Sequence, residues 1–520
     1  MAAAWLRAGL AFFILNTLLT FENRWPGLGV LYMPRLSFEL CLGLALLAAW
    51  VAWRGVPTPR ATTALAFGFV LLVAVRYLDV TVPAVMGRPV NLYWDGRHAF
   101  ELIRVVGQSW SWWHVTGALS ALLLGAAGLL VVARWGMATL AHALATLPSL
   151  RRGSGLAAGA FSLCFVAYVP DERDTRWFFS LPLTPTLMQQ ATLLTQAAWP
   201  GQADATLGPG PAFDTDLQAL RTPEGSADVI LMFAESYGAV AFDDAAMQTT
   251  LAPARARLLD AIDASGSQVV SARVRAATFG GASWLSHASL LSGIAIDEPA
   301  RHNLLLASER PTLVHHFARH GYRTVGWMPG IKRPWPEGAF YGFERLADDA
   351  RLGYSGPDVG YWRIPDHAAM ELLQAQELDS SPRKPVFAVF PTTSTHAPFH
   401  PLPTLPGESA ADGDTGSTAE RYTRSLRYQF RWLARHLAVT DPSRQVLIVV
   451  GDHQPPGGLA GRDASWDVPV HVIASDPALI RRFENLGFTA GLQPSDAALG
   501  DMHELTRALL LAFDGRSEHH

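Results

Sequence analysis

The run Val229-Ile230-Leu231-Met232-Phe233-Ala234-Glu235-Ser236-Tyr237 is an unbroken apolar stretch of strand length that stops on a carboxylate. A strand that is apolar without alternation is covered on both faces, which is the pattern of a parallel sheet between layers of helices. Shorter runs of the same kind occur at 324–327, 386–390, 446–450 and 468–473. Helix-like segments lie among them at 313–320, 367–375 and 419–437, and 502–513 closes the series. Strands alternating with helices predict an α/β domain with a mostly parallel central sheet, spanning 227–515. A polar, Gly-containing loop at 407–417 interrupts it.

Open sheets of this kind place their ligands at the carboxyl ends of the strands. Just past the first run stand Glu235 and Ser236. Another run ends in Val450-Gly451-Asp452-His453-Gln454, and a third in Phe390-Pro391, shortly before Thr395-His396-Ala397-Pro398. A carboxylate, an Asp-His pair and a second His are thereby expected along one edge of one sheet. Oxygen and imidazole donors of this type suit Zn²⁺ or Mn²⁺. Any one of them alone reads as an ordinary helix-start or loop residue; the constellation reads as a metal site. The fourth piece is Thr278-Phe279-Gly280-Gly281-Ala282-Ser283-Trp284-Leu285-Ser286-His287. Paired glycines leading into a short apolar helix put Ser283 at a helix amino terminus, where free N–H groups favour a phosphate. A nearby cation lowers the pKa of such a hydroxyl and makes it a nucleophile. Taken by itself, Ser283 also fits a simple N-cap.

Upstream, the composition changes. Apolar stretches at 4–21, 36–53, 63–84, 115–132 and 155–169 predict about five membrane spans, the last of them short for a bilayer. No small-residue cleavage site follows the first, so it is expected to be retained. Arg7, Arg54, Arg60, Arg134, Arg151 and Arg152 fall on one side, which the positive-inside rule makes cytoplasmic. The opposite loop, 86–113, carries mixed charges. An odd number of spans sends everything after about residue 170 outside. Arg76 and Asp79 share a helical face near the outer end of the third stretch and fit either a lipid headgroup contact or a mutually neutralising pair. The charged run 171–174 and a semi-apolar 177–198, which fits an interfacial or a packed helix, lead into a Gly-, Pro- and Thr-rich stretch at 201–226. The expected organisation is a transmembrane domain (1–170), a linker (171–226) and a catalytic domain (227–515) in a multi-pass plasma (inner) membrane protein, the last part extracytoplasmic or periplasmic. A net charge of −4 without a basic run gives no reason to expect nucleic acid as a partner. Cys41 and Cys164 are the two cysteines, both in apolar runs, which excludes a disulfide framework and a cysteine metal motif.

In this order the four pieces resemble the alkaline phosphatase and sulfatase superfamily. More narrowly they resemble its membrane-anchored group, the lipoteichoic acid synthases and the phosphoethanolamine or phosphoglycerol transferases, over 227 to about 513. The resemblance implies an alkaline-phosphatase-like fold and one or two divalent ions, Zn or Mn. Glu235, Asp452 and His453 would be ligands, and Ser283 a ligand and nucleophile. It further implies a membrane phospholipid as headgroup donor and a lipid or glycan as acceptor. His396 in its His-x-Pro setting would touch metal or substrate. Arg363 and Asp366, in Tyr361-Trp362-Arg363-Ile364-Pro365-Asp366, and His287 become substrate-binding candidates. Relatives in this group use threonine, so Thr278 is the alternative nucleophile. His471, in Val468-Pro469-Val470-His471, fits either a second metal or a buried strand histidine. A sulfatase needs Pro or Ala two residues after its modified residue and Arg four after; Leu285 and His287 stand there instead. The remaining alternatives are a phosphodiesterase or phosphatase-type hydrolase and a non-catalytic binding or signalling descendant.

Overall fold

The structure, a computed structural model, describes residues 2–24, 28–86, 90–93, 96, 112–168, 178–198, 202–223, 225–332, 335–408, 416–461 and 464–516. The mixed-charge loop at 86–113, the charged run 171–174 and the polar loop at 407–417 lie wholly or largely outside these residues. The chain forms two compact units, Met1–Ala198 and Trp199–His520, divided within the stretch read as a linker.

The first unit is helical: α1 (Ala2–Thr20), α2 (Phe38–Arg54), α3 (Pro59–Met86), α4 (Trp112–Thr146), α5 (Pro148–Tyr168) and α6 (Thr184–Ala198). A helix lies over each of the five apolar stretches. Among the described residues, three helices are long and apolar enough to cross a membrane: Ala2–Thr20, Pro59–Val82 and Trp113–Thr146. α2 has only 17 residues, and α5 opens on Pro148-Ser149-Leu150-Arg151-Arg152-Gly153-Ser154. A helix thus stands at each of the five expected spans, three of them clearly of membrane length and composition. Arg76 is buried and donates to the carbonyls of Phe21 (3.0 Å) and Leu181 (3.1 Å). Asp79 lies 3.8 Å from it and accepts from Thr186 at 3.1 Å. The pair thus ties α3 to chain segments of its own unit.

The second unit is built on one mixed sheet. Its strands are β1 (Asp228–Ala234), β2 (Gln268–Arg275), β3 (Arg323–Met328), β4 (Arg345–Asp348), β5 (Val386–Pro391), β6 (Gln445–Gly451), β7 (Asp467–Ala474), β8 (Thr489–Ala490) and β9 (Ala498–Asp501). They lie in the order β8-β2-β7-β6-β1-β5-β3-β4, with β9 alongside β2. β6, β1, β5, β3 and β4 are mutually parallel, with Val450 opposite Phe233 and Val229 opposite Phe387. All seven residues of β1 are buried. Its register is pinned at the foot, where the Asp228 carboxylate takes two bonds from Arg383 (2.6 and 2.5 Å) and one from the Val386 amide (2.7 Å).

Helices α7 (Ala245–Ala264), α8 (Ser283–Ser292), α9 (Asp366–Leu373), α10 (Thr418–Leu437) and α11 (Met502–Phe513) are among those that cover the sheet. α10 starts at a capping box between Ser417 and Glu420. It buries Tyr422, Leu426, Phe430, Leu433 and Leu437, spaced three and four apart, on one face. The strand at 468–473 departs from the parallel expectation: β7 runs antiparallel to β6. Among the described residues between them the one helical piece is a four-residue turn, Gly457–Ala460, too little for the crossover helix a parallel return uses.

Candidate metal centre

The parallel strands end on one edge, and the centre is built there. β1 leads into Glu235, which is fixed through its backbone by the loop after β5. The Glu235 amide donates to Thr392 Oγ1 at 3.0 Å, and its carbonyl accepts from Thr395 Oγ1 at 2.5 Å. Ser236 follows in the left-handed region, at φ 53°. That turn aims its amide at Asp452 Oδ1 (2.8 Å) and its hydroxyl at Glu235 Oε1 (2.8 Å). The hydroxyl of Tyr422, on α10, holds the Ser236 carbonyl at 2.8 Å. β6 delivers Asp452 and His453 beside them. Gly451 is required at this position because a Cβ there would stand 2.0 Å from the Tyr237 carbonyl oxygen.

Ser283 arrives from the other side. Gly280, Gly281 and Ala282 have φ of 70°, 151° and 58°, and they turn the chain sharply into α8. Ala282 is the N-cap and no side chain caps the helix, so the Ser283 hydroxyl is not spent on capping. It lies 3.1 Å from Glu235 Oε2 and 3.0 Å from His453 Nε2. His453 Nε2 is in turn 3.6 Å from Glu235 Oε1 and 3.8 Å from Asp452 Oδ1. One ligand atom from each of Glu235, Asp452 and His453 falls within 4.8 Å of the others, and all three residues are buried.

The protons in this cluster are too few for its lone pairs. His453 Nδ1 donates to the Gln454 carbonyl at 2.7 Å, which leaves Nε2 as an acceptor. Ser283 has one proton for both Nε2 and the Glu235 carboxylate. Burial and the neighbouring Asp452 charge push the Glu235 carboxyl well above the usual carboxylate range. Burial would raise Asp452 too, but His453, His287 and the Ser236 amide outweigh it and bring that carboxyl to about 2. Two buried carboxylates, an imidazole lone pair and a hydroxyl around one point fit a divalent cation, whose charge would let both acids ionise.

His287 sits one helical turn after Ser283, with Nε2 3.8 Å from Asp452 Oδ2 and its ring 4.1 Å from that of Phe233. That nitrogen is buried without a hydrogen-bond partner among the described residues. His396 lies in the loop after β5 and is held below the ordinary histidine value by burial. Its Nδ1 donates to the Ala397 carbonyl at 2.6 Å, and it lines a cleft with Trp362, whose ring centroid is 4.7 Å away. The structure does not bring the other candidates to the centre. Thr278 points its hydroxyl at Ser286, 3.3 Å away. His471 is in mid-strand, with Nε2 on the Tyr237 hydroxyl (3.0 Å) and Nδ1 on Ser271 (2.7 Å), so neither nitrogen is left for a second ion. Asp366 is buried and accepts from the Thr393 and Ser394 amides at 2.7 and 3.0 Å; it shapes the loop that carries His396. Arg363 is engaged by Asp349 (2.8 Å) and Asp358 (3.6 Å). Reading strand ends alone assigns no role to Ser236, Thr392, Thr395 and Tyr422, although the first three lie within one to four residues of Glu235 or His396.

Residues 228–467 match the sequence model of the Sulfatase family. No curated protein matches the chain. Solved structures with a similar fold include a protein of the alkaline phosphatase superfamily from Vibrio parahaemolyticus (16% identity, TM-score 0.37, 55% of this chain and 66% of that one). Others are the lipoteichoic acid synthase LtaP from Listeria monocytogenes (12%, 0.36, 52% and 70%) and the phosphoglycerol transferase GacH from Streptococcus pyogenes (12%, 0.35, 62% and 91%). At such identities and scores the likeness is remote, and the family match is the stronger finding. Residues 228–467, the strands and loops that build the centre, thus carry the sequence pattern of the Sulfatase family.

Proposed function

We propose that the chain transfers a phospholipid headgroup, of the phosphoglycerol or phosphoethanolamine type, to a lipid or glycan acceptor through a covalent phospho-serine. The observation that carries this reading is the Ser283 hydroxyl, 3.1 Å from Glu235 and 3.0 Å from His453 at the mouth of a helix. Glu235, Asp452, His453 and Ser283 would hold the ion, Zn²⁺ or Mn²⁺, which when bound lowers the serine pKa and offsets charge on the phosphoryl oxygens. Ser283 Oγ forms a bond to phosphorus, the bond to the diacylglycerol oxygen breaks, and the serine proton ends on that departing oxygen. The free amides at the start of α8 face the oxygens of the group left on the serine. An acceptor hydroxyl then attacks phosphorus, the bond from phosphorus to Ser283 Oγ breaks, and the acceptor's proton passes by way of His396 to that oxygen, which restores the serine. His396, kept unprotonated by burial and with Nδ1–H already committed to Ala397, presents Nε2 to take the acceptor's proton. Membrane helices in the same chain hold the catalytic unit near a donor confined to two dimensions, which raises its effective concentration. With three spans or five the number is odd, so the catalytic unit lies across the membrane from Arg7, in the extracytoplasmic or periplasmic space.

Intact mass of the protein after exposure to isotopically labelled membrane lipids tests this. An adduct confined to Ser283, absent in Ser283→Ala and discharged by an added acceptor, is expected. Free phospho-headgroup released at the same rate with and without acceptor would replace transfer by hydrolysis, and an adduct on Thr278 would move the nucleophile.

A further inference from the structure

Among the described residues of the second unit, six large apolar side chains stand exposed: Trp284, Tyr361, Val439, Trp466, Leu499 and Leu511. The three aliphatic ones are dispersed. Val439 follows the end of α10, while Leu499 and Leu511 lie on β9 and α11. The three aromatic ones share an edge. Trp284 directly follows Ser283. Trp466 immediately precedes β7, which runs antiparallel to β6 and so begins where β6 ends. Its ring lies 5.7 Å from that of Phe279, whose backbone pairs with Gln454, next to His453. Tyr361 lines the cleft that holds His396. Its ring carries the Lys332 ammonium 4.4 Å from the centroid, and Lys332 is itself exposed.

An aromatic ring left in water at the mouth of a site loses the burial that large apolar groups gain. Trp and Tyr are the side chains suited to a boundary, because an apolar body and a polar tip are satisfied together between headgroups and acyl chains. A lysine beside them meets the phosphates at that level. The same chain carries three helices apolar enough for a bilayer. We propose that the catalytic edge docks into the headgroup layer of a phospholipid bilayer through Trp284, Tyr361 and Trp466, with Lys332 against the lipid phosphates. Docking there brings the mouth of the centre to the level of the lipid phosphate, so a donor need not leave the bilayer to be attacked. This rests on the reading of the donor as a membrane lipid and adds the surface that meets it.

The test uses the full chain in vesicles of phosphatidylethanolamine and phosphatidylglycerol, with Trp466→Ser and Trp466→Tyr. Among the described residues the ring of Trp466 meets that of Phe279 and its carbonyl accepts from the Ala276 amide, neither of them a residue of the metal centre. Turnover of long-chain lipid in the vesicle should fall about tenfold in Trp466→Ser, the loss typical of an aromatic anchor, and Trp466→Tyr should restore it. Turnover of a monomeric short-chain lipid with the same headgroups should not change. Bromine-labelled lipids should quench a fluorescence component that Trp466→Ser lacks. Equal losses on both substrates, no loss on either, or a loss visible only as a raised KM for a glycan acceptor would overturn the docking surface; the last would make the rim a sugar platform. If the parent turns over neither lipid, the headgroup reading has failed, and the quenching experiment still decides the docking.

Discussion

Glu235 is held by its backbone at both ends, so its carboxylate can change while the turn around it stays. Glu235→Gln should therefore leave the fold intact and strip the ion: metal content by plasma mass spectrometry should fall from near one per chain to background, with activity down at least about a thousandfold. A second residue makes a pH prediction away from the centre. His436, buried near the end of α10, is held by burial at about 4. The unfolded chain takes up this proton near pH 6.5, so between pH 6.5 and 4 the unfolded state binds more protons than the folded one. Stability is complete above that window and falls as the pH drops through it, by about 1.4 kcal/mol per pH unit from this group. Melting curves of the parent and His436→Leu should converge in slope above pH 7 and separate below it. Residues that follow an apolar run or a paired-glycine turn are legible in sequence, as Glu235, Ser283, Asp452 and His453 are. His471 shows the limit. In sequence it fits a second-metal ligand and a buried strand histidine alike, and only its neighbours Tyr237 and Ser271 reveal that both its nitrogens are engaged.

At the scale of elements, the junctions between strands and their loops matter more than the strands themselves. Gly451 lies where β6 hands over to Asp452, and the Tyr237 carbonyl oxygen occupies the space a side chain would need. Gly451→Ala should push the two loops apart, cost about 3 kcal/mol or more, and lower metal affinity along with the melting temperature. The same substitution at Gly266, where nothing lies within 4 Å of the added carbon, should cost less and leave metal affinity unchanged; that cost would come from its left-handed backbone. The buried strands β1, β5 and β6 are legible in sequence because solvent is excluded from both faces and, past the first residue of β1 (Asp228) and of β6 (Gln445), the run is unbroken by polar side chains. β2 (Gln-Val-Val-Ser-Ala-Arg-Val-Arg) was not, since buried Ser271 and Arg273 interrupt its pattern; their partners, His471 and Asp243, lie far away in sequence. α7, with Pro253 inside it and few large apolar residues, hid for a similar reason: its helical face is defined by what it packs on.

For the molecule as a whole, an ion at the centre binds the folded state and not the unfolded one, so it adds stability with the logarithm of its concentration. Dialysis against a chelator should lower the melting temperature of the second unit by several degrees and abolish turnover; adding back Zn²⁺ or Mn²⁺ should restore both, and the tighter of the two restorations names the native metal. A chelated protein that melts unchanged would place the ion outside the folded core. The number of spans is a whole-molecule quantity that neither sequence nor helix length fixes, because short apolar helices such as α2 are equally at home crossing a bilayer or packed inside a helical unit. One more consequence follows from β1 and β6 lying side by side. Their ladder joins residues 228–234 to residues 445–451, so the two halves of the centre are made far apart in time. A ribosome will have finished most of the chain before Asp452 and His453 exist to meet Glu235. Under the proposed function a cation would accordingly be acquired late, and the ion supply of whichever compartment receives the finished domain would determine which metal fills the centre.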